Sequence, residues 1–129
     1  MEYRPYEADD LPGVLTLCEA EQWPSFPADP ARAHRLLTNP GVTSYVADDD
    51  DEVVGFIYLL SDGEIQAYIA LMAVSAARRR RGIGTRLIEE AFAVCGAERV
   101  DLLSAADEFY ERLNHQRWVG FRLHPPFAT

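Results

Sequence analysis

The stretch Val74-Ser75-Ala76-Ala77-Arg78-Arg79-Arg80-Arg81-Gly82-Ile83-Gly84-Thr85-Arg86-Leu87 joins an apolar run to an amphipathic one through arginine and glycine. Its downstream half reads as a helix. Ile83, Leu87, Ile88, Ala91, Phe92 and Cys95 fall on one stripe, Arg86, Glu89 and Glu90 lie opposite, and Gly96 supplies a stop. Its upstream half closes a run of strand type at Val74. A helix starting at Ile83 leaves its first N–H groups without intrahelical partners and carries partial positive charge at that end. Gly82 and Gly84 have no Cβ, so the bend can take a positive φ and the main chain can come close to an anion, while the guanidinium groups add charge. A strand, an arginine-glycine bend and a helix in this order predict a cradle for a pyrophosphate. A merely solvated turn would leave the glycines and the flanking elements without a reason.

Upstream of this stretch, residues 43–47, 53–60 and 64–74 read as strands, separated by an acidic turn at 48–51 and by Ser61-Asp62-Gly63, which predicts an antiparallel meander. The acidic turn lacks the spaced ligands of a calcium loop and reads as a solvated hairpin tip. Nearer the N-terminus, residues 2–6 suit a short strand. Asp9 or Asp10 can cap a helix that carries Leu11, Val14, Leu15, Leu17 and Cys18 on one side, with Pro12 in its first turn. Trp23-Pro24-Ser25-Phe26-Pro27 breaks that pattern, and a further helix spans 29–37 with Pro30 in its first position. Downstream of Gly96, residues 99–103 form a buried-type strand, and Ser104 with Asp107 resembles a capping box. Ala106, Phe109, Tyr110 and Leu113 share a helical face, and residues 118–123 offer a final strand. The expected fold is one α+β domain over residues 1–129, a mixed but mostly antiparallel sheet flanked by about four helices.

Composition narrows the function. A net charge of −9 argues against nucleic acid, whose phosphates demand a basic face. Every basic residue is arginine, so the lysine of a Walker-type phosphate loop is absent. The arginine run is therefore an island of positive charge in an acidic chain. No apolar run is long enough for a bilayer and no signal segment opens the chain, which predicts a cytoplasmic protein without a membrane partner. Cys18, Cys95, His34, His115 and His124 show no metal-ligand spacing, so no metal is expected. A dinucleotide fingerprint fails as well: Leu87 stands where its third glycine belongs, and seven residues separate Val74 from Gly82 where that fold turns at once.

Arg79-Arg80-Arg81-Gly82-Ile83-Gly84 also resembles the acyl-CoA loop of the GNAT superfamily of N-acetyltransferases, Arg or Gln, two residues, Gly, one residue, then Gly or Ala. Phe109-Tyr110-Glu111-Arg112-Leu113 is similar to the family's penultimate helix, and Gly120-Phe121-Arg122 to the opening of its next strand. With Tyr3-Arg4-Pro5 and the helix behind it, the resemblance spans nearly the whole chain. It implies acetyl-CoA as co-substrate, with the pyrophosphate on the amides of Arg81, Gly82, Ile83, Gly84 and Thr85, charge from Arg79 and Arg80, and the pantetheine arm paired to the backbone of Met72, Ala73 and Val74.

The same resemblance implies that Tyr110 protonates the departing thiolate, a transfer from a phenol near pKa ~10 to the anion of a thiol near ~8.5. The position of the family's strand glutamate is Tyr68 here, so Glu64, with Asp62 beside it, is the candidate base through water, although Asp-Gly-Glu also suits a plain turn. The family's asparagine seven residues before the tyrosine is Leu103, and residues 114–119 separate Leu113 from Gly120 where the family has them adjacent. Glu19, Glu21, Trp23 and Phe26 follow the helix that covers the acceptor in this family and suit a cationic amine. The implied activity is acetyl transfer from acetyl-CoA to a primary amine of a small molecule or peptide, by direct attack in a ternary complex. A non-catalytic acyl-CoA-binding or regulatory module is the alternative. The family's further strand after Gly120-Phe121 is here shortened, absent or supplied by another subunit, so a homodimer is expected.

Overall fold

The computed structural model describes residues 1–105 and 107–128; Ala106, assigned above to a helical face, lies outside them. The elements are β1 (Glu2–Pro5), a 3-10 turn (Ala8–Asp10), α1 (Leu11–Ala20), α2 (Ser25–Ala28), α3 (Pro30–Leu37), β2 (Val42–Asp49), β3 (Glu52–Ser61) and β4 (Gln66–Val74). A second 3-10 turn (Ala76–Arg78), α4 (Ile83–Cys95), β5 (Arg99–Asp101) and α5 (Asp107–Glu111) complete them.

Local chemistry explains most of these boundaries. The Asp29 carboxylate accepts the amide of Arg32 at 3.2 Å and starts α3 with Pro30 in the first position. Asp50 and Asp51 take φ of 51° and 68°, the primed turn that the right-handed twist of a hairpin demands, so the acidic run is the tip between β2 and β3. Asp10 does not cap α1 with its side chain as expected. It is 5% exposed and turns back to accept the Glu7 amide at 2.8 Å and both Arg4 terminal nitrogens at 2.8 Å each, while Asp48 takes Arg4 at 2.8 Å. Burial alone pushes the Asp10 carboxyl up, but Arg4 and the Glu7 amide outweigh it and hold it below its ordinary value. This cluster fastens β1 to β2.

The sheet order is β1-β2-β3-β4-β5, antiparallel except for β4 against β5. Its two faces carry separate cores. One packs Val14, Cys18, Phe26, Leu37, Val46, Phe56 and Tyr58 under α1 to α3; the other packs Val54, Ile57, Leu59, Ile69, Ile83, Leu87 and Ala91 under α4. Cys18 is wholly buried, and desolvation, aided by Glu19 and Glu21, pushes its thiol up to about 11, which makes it a core side chain rather than a nucleophile.

β4 departs from regular pairing at one point. Tyr58 faces Leu71 but Leu59 faces Ile69, so Ala70 is an extra residue on β4. A bulge of this kind bends its strand. Here Ala70 and Leu71 pack against the α1–α3 core while Ile69 and Met72 belong with the α4 core. β5 pairs with β4 only over Gln66, Ala67 and Tyr68, so from Ile69 to Val74 the far edge of β4 has no strand partner among the described residues.

Four expectations need correction. Glu64 and Ile65 precede β4 instead of opening it, because the Asp62 carboxylate gathers the amides of Glu64 and Ile65 at 2.8 Å each and Gln66 at 3.2 Å into a tight turn. Phe26 and Pro27, read as a break, lie in the short α2, with Phe26 stacked on Tyr58 at 5.8 Å between ring centroids. β5 stops at Asp101. No strand forms over residues 118–123, whose alternating apolar side chains find no sheet edge.

Candidate functional site

α4 begins at an N-cap with φ +77°, a left-handed conformation that only glycine adopts without strain, which accounts for Gly82. No side chain caps this end. The first bond of the helix is Arg86 N–H to the Gly82 carbonyl at 3.0 Å, so the amides of Ile83, Gly84 and Thr85 have no hydrogen-bond partner among the described residues. Gly84 has a different reason to be glycine. It is buried, and a Cβ there would stand 3.0 Å from Phe109 Cζ and 3.3 Å from Met72 Cε. Its missing side chain makes room for α5 and β4 to meet α4, while its amide stays in the unpartnered first turn.

The four arginines divide into two pairs. Arg78 is bonded to Asp49 and lies 3.6 Å from Glu52; this guanidinium holds the Asp49 carboxyl below its ordinary value. Arg79 reaches Glu21 at 2.7 Å and the Val74 carbonyl at 3.3 Å. Arg80 and Arg81 are exposed and make no hydrogen bond or salt bridge among the described residues. The positive charge available to an anion at the head of α4 is therefore that of Arg80 and Arg81. Asp49 and Glu21 are residues that sequence reasoning did not connect to the loop: they lie 29 and 58 positions from their partners, and no local pattern carries a contact of that range.

From this cradle the outer edge of β4, which has no strand beside it among the described residues, runs back from Val74, whose carbonyl takes Arg79, through Ala73 and Met72 to the bulge. Its Tyr68 and Ile69 end lines a groove of about 1390 Å³ whose walls also include Ile88, Leu103, Tyr110 and Trp118. The fold thus brings Met72, Ala73, Val74 and the amides of 83–85 together, and places Tyr110 in the adjoining groove. Phe109 and Tyr110 meet edge to face at 4.9 Å, and burial pushes the Tyr110 phenol above its ordinary value. A phenol so placed stays protonated through the neutral range and can serve as a proton donor. Glu64 is not brought to this place. It is exposed in the β3–β4 turn, beyond the opposite end of β4 from Val74. Among the described residues no three His, Cys, Asp or Glu side chains are grouped as a metal site.

The family model described as the acetyltransferase (GNAT) domain matches residues 40–117. No curated protein matches the chain. Among solved structures, an aminoglycoside antibiotic 6'-N-acetyltransferase from Acinetobacter haemolyticus superposes with a TM-score of 0.76 at 19% identity, covering 96% of this chain and 99% of that one. An acetyltransferase from Trypanosoma brucei gives 0.72 at 24% identity, covering 95% and 99%. An aminoglycoside N-acetyltransferase in complex with CoA gives 0.74 at 14% identity, again covering 95% and 99%. The mixed five-stranded sheet with its flanking helices is the fold these structures share. Among the described residues, no helix is long and apolar enough to cross a membrane.

Proposed function

This chain belongs to the GNAT acetyltransferase family, and on that premise we propose that it transfers an acetyl group from acetyl-CoA to a primary amine. The observation that carries this reading is the continuity of two unpaired backbone surfaces, the first amides of α4 and the outer edge of β4. The diphosphate lies on the amides of Gly82, Ile83, Gly84 and Thr85, where dipole and orphan donors favour an anion, with Arg80 and Arg81 adding charge. The pantetheine arm, itself built of amides, pairs along Met72, Ala73 and Val74 as an added strand would. This brings the thioester to the bulge and Tyr110.

The neutral amine attacks the thioester carbonyl carbon, forming a C–N bond and an oxyanion. An unpaired N–H of the β4 edge stabilises that charge. Collapse breaks the C–S bond, and the thiolate takes the Tyr110 proton. The amide nitrogen releases its proton to water. An α-amine near pKa ~8 needs little help to become neutral; Glu64 acts only through water, because the Asp62 turn holds it away from the bulge. Glu19 and Trp23 sit on the α1–α2 side and suit a cationic acceptor. The aminoglycoside acetyltransferases of similar fold favour a small-molecule amine. An acyl-CoA-binding module without turnover is the second reading, favoured by the absence of a carboxylate from the β4 position occupied by Tyr68.

Calorimetry with acetyl-CoA followed by thiol release over a panel of amines tests both readings. Saturable binding with acceptor-dependent thiol release is expected. Binding without release from any amine selects the module, and the absence of heat with acetyl-CoA removes both.

A further inference from the structure

α1 ends on a Schellman stop. The Trp23 amide reaches back to the Cys18 carbonyl at 2.9 Å and the Gln22 amide to the Glu19 carbonyl at 3.0 Å, with Gln22 at φ +63° in the left-handed place where glycine is usual. A side chain in that conformation carries strain that glycine does not, so the stop is a weak one. It places Glu21, the residue before the turn, against the arginine bend: Arg79 Nη2 donates to Glu21 Oε1 at 2.7 Å.

The same guanidinium donates through Nε to the Val74 carbonyl at 3.3 Å. The direction of that carbonyl follows from the ladder. Ser75 donates its amide to the Val54 carbonyl at 2.8 Å, so Gly55 and Val74 face each other as a pair that exchanges no hydrogen bonds, and the N–H and C=O of Val74 point away from β3 onto the open edge. Arg79 therefore stands on an acceptor that an amide-bearing arm laid along Met72, Ala73 and Val74 requires.

The geometry points to Arg79 as a plug on the cofactor edge and to Glu21 as the positioning residue that holds the plug in place. The pantetheine arm takes the Val74 carbonyl by displacing Arg79, and Arg79 in leaving releases Glu21 and the α1–α2 connection. This rests on the pairing of the arm along β4 proposed above. The side chains of Arg79 and Glu21 are 56% and 30% exposed, and an ion pair so open to water contributes little, which suits a contact that breaks each time the cofactor arrives. Cofactor binding is thereby coupled to the segment of Glu19 and Trp23, the side proposed for the acceptor.

Glu21→Gln keeps the size of the side chain and removes the charge that holds Arg79. By calorimetry this variant is expected to bind acetyl-CoA about 2- to 5-fold more tightly than the parent chain, the size of one exposed ion pair. An equal or weaker affinity overturns the inference. In the parent chain, hydrogen exchange read by mass spectrometry is expected to become faster over residues 19–26 when acetyl-CoA is added and slower over 83–85, where the diphosphate lies. In Glu21→Gln the acceleration over 19–26 should be missing, because the connection is already released. A pair that only braced the fold would give no such loosening on ligand binding. Unchanged or slower exchange over 19–26 in the parent chain, with acetyl-CoA bound, overturns the inference and leaves the proposed function standing; no heat with acetyl-CoA removes both. The exchange measurement on the parent chain decides the matter whether or not the variant folds.

Discussion

The two long edges of β4 are treated in opposite ways. Toward β3, its residues are paired from Ala67 to Val74 around a single bulge; toward β5, pairing ends after Tyr68. The paired edge belongs to a sheet with Leu59, Ile57 and Leu87 wholly buried on the α4 face. The open edge ends, at Ile69, in a groove whose walls combine the aliphatic Ile88 and Leu103 with Tyr110, Trp118 and polar side chains such as Asp101 and Asn114. The closed side holds the strand still so that the other side can leave backbone groups unsatisfied, and those are the groups an amide-bearing ligand requires.

The sharpest way to separate the two sides is Tyr110→Phe. Removing the phenolic proton donor should lower kcat by about 10²–10⁴-fold in the thiol-release assay, with the affinity for acetyl-CoA and the melting temperature little changed. Because burial raises the Tyr110 phenol, the high-pH fall in wild-type kcat should come above the ordinary tyrosine value of about 10; a fall well below that removes Tyr110 as the donor. On the closed side, Leu87→Ala should do the reverse. It empties a fully buried site at about 2–5 kcal/mol of unfolding free energy by urea denaturation, with the acetyl-CoA dissociation constant preserved in the folded fraction.

A smaller effect is expected at the cradle. Gly82→Ala places a Cβ in open space but at φ +77°, so about 1–2 kcal/mol of backbone strain should appear in stability, in acetyl-CoA affinity or in both. Smallest are the arginines. Arg81→Ala should weaken acetyl-CoA several-fold at low salt and less at high salt, whereas Arg78→Ala, whose charge is committed to Asp49, should shift stability little and leave affinity alone. Equal losses for Arg78 and Arg81 would erase the division of the arginine run.

The readable part of the molecule was the part governed by near neighbours. Asp29-Pro30 fixes the start of α3, the acidic turn at Asp50-Asp51 fixes a hairpin, and the stripe from Ile83 to Cys95 fixes α4, because each depends on residues within a turn or two. The bulge at Ala70 was invisible, since an extra residue in β4 is defined only by its register against β3. Gly84 was legible as a glycine but not in its reason, which is the Phe109 ring arriving from α5. The final strand was misread for a related cause. Val119, Phe121 and Leu123 have the period of a strand, but a strand exists only beside an edge that accepts it. Within the site, the bend and the helix behind it were legible from Gly82 and the stripe that follows, while the partners of Arg78 and Arg79 depend on contacts across the fold.

The wedge of Phe109 into the notch at Gly84 also has an evolutionary consequence. Tyr110 follows Phe109 directly, so the seat of its neighbour on the head of α4 sets where the phenol stands. A side chain at position 84 would lift the helix that carries Tyr110. The bend and the helix form one heritable unit, and a chimaera that takes either from a distant relative without the other should keep its fold and lose its turnover.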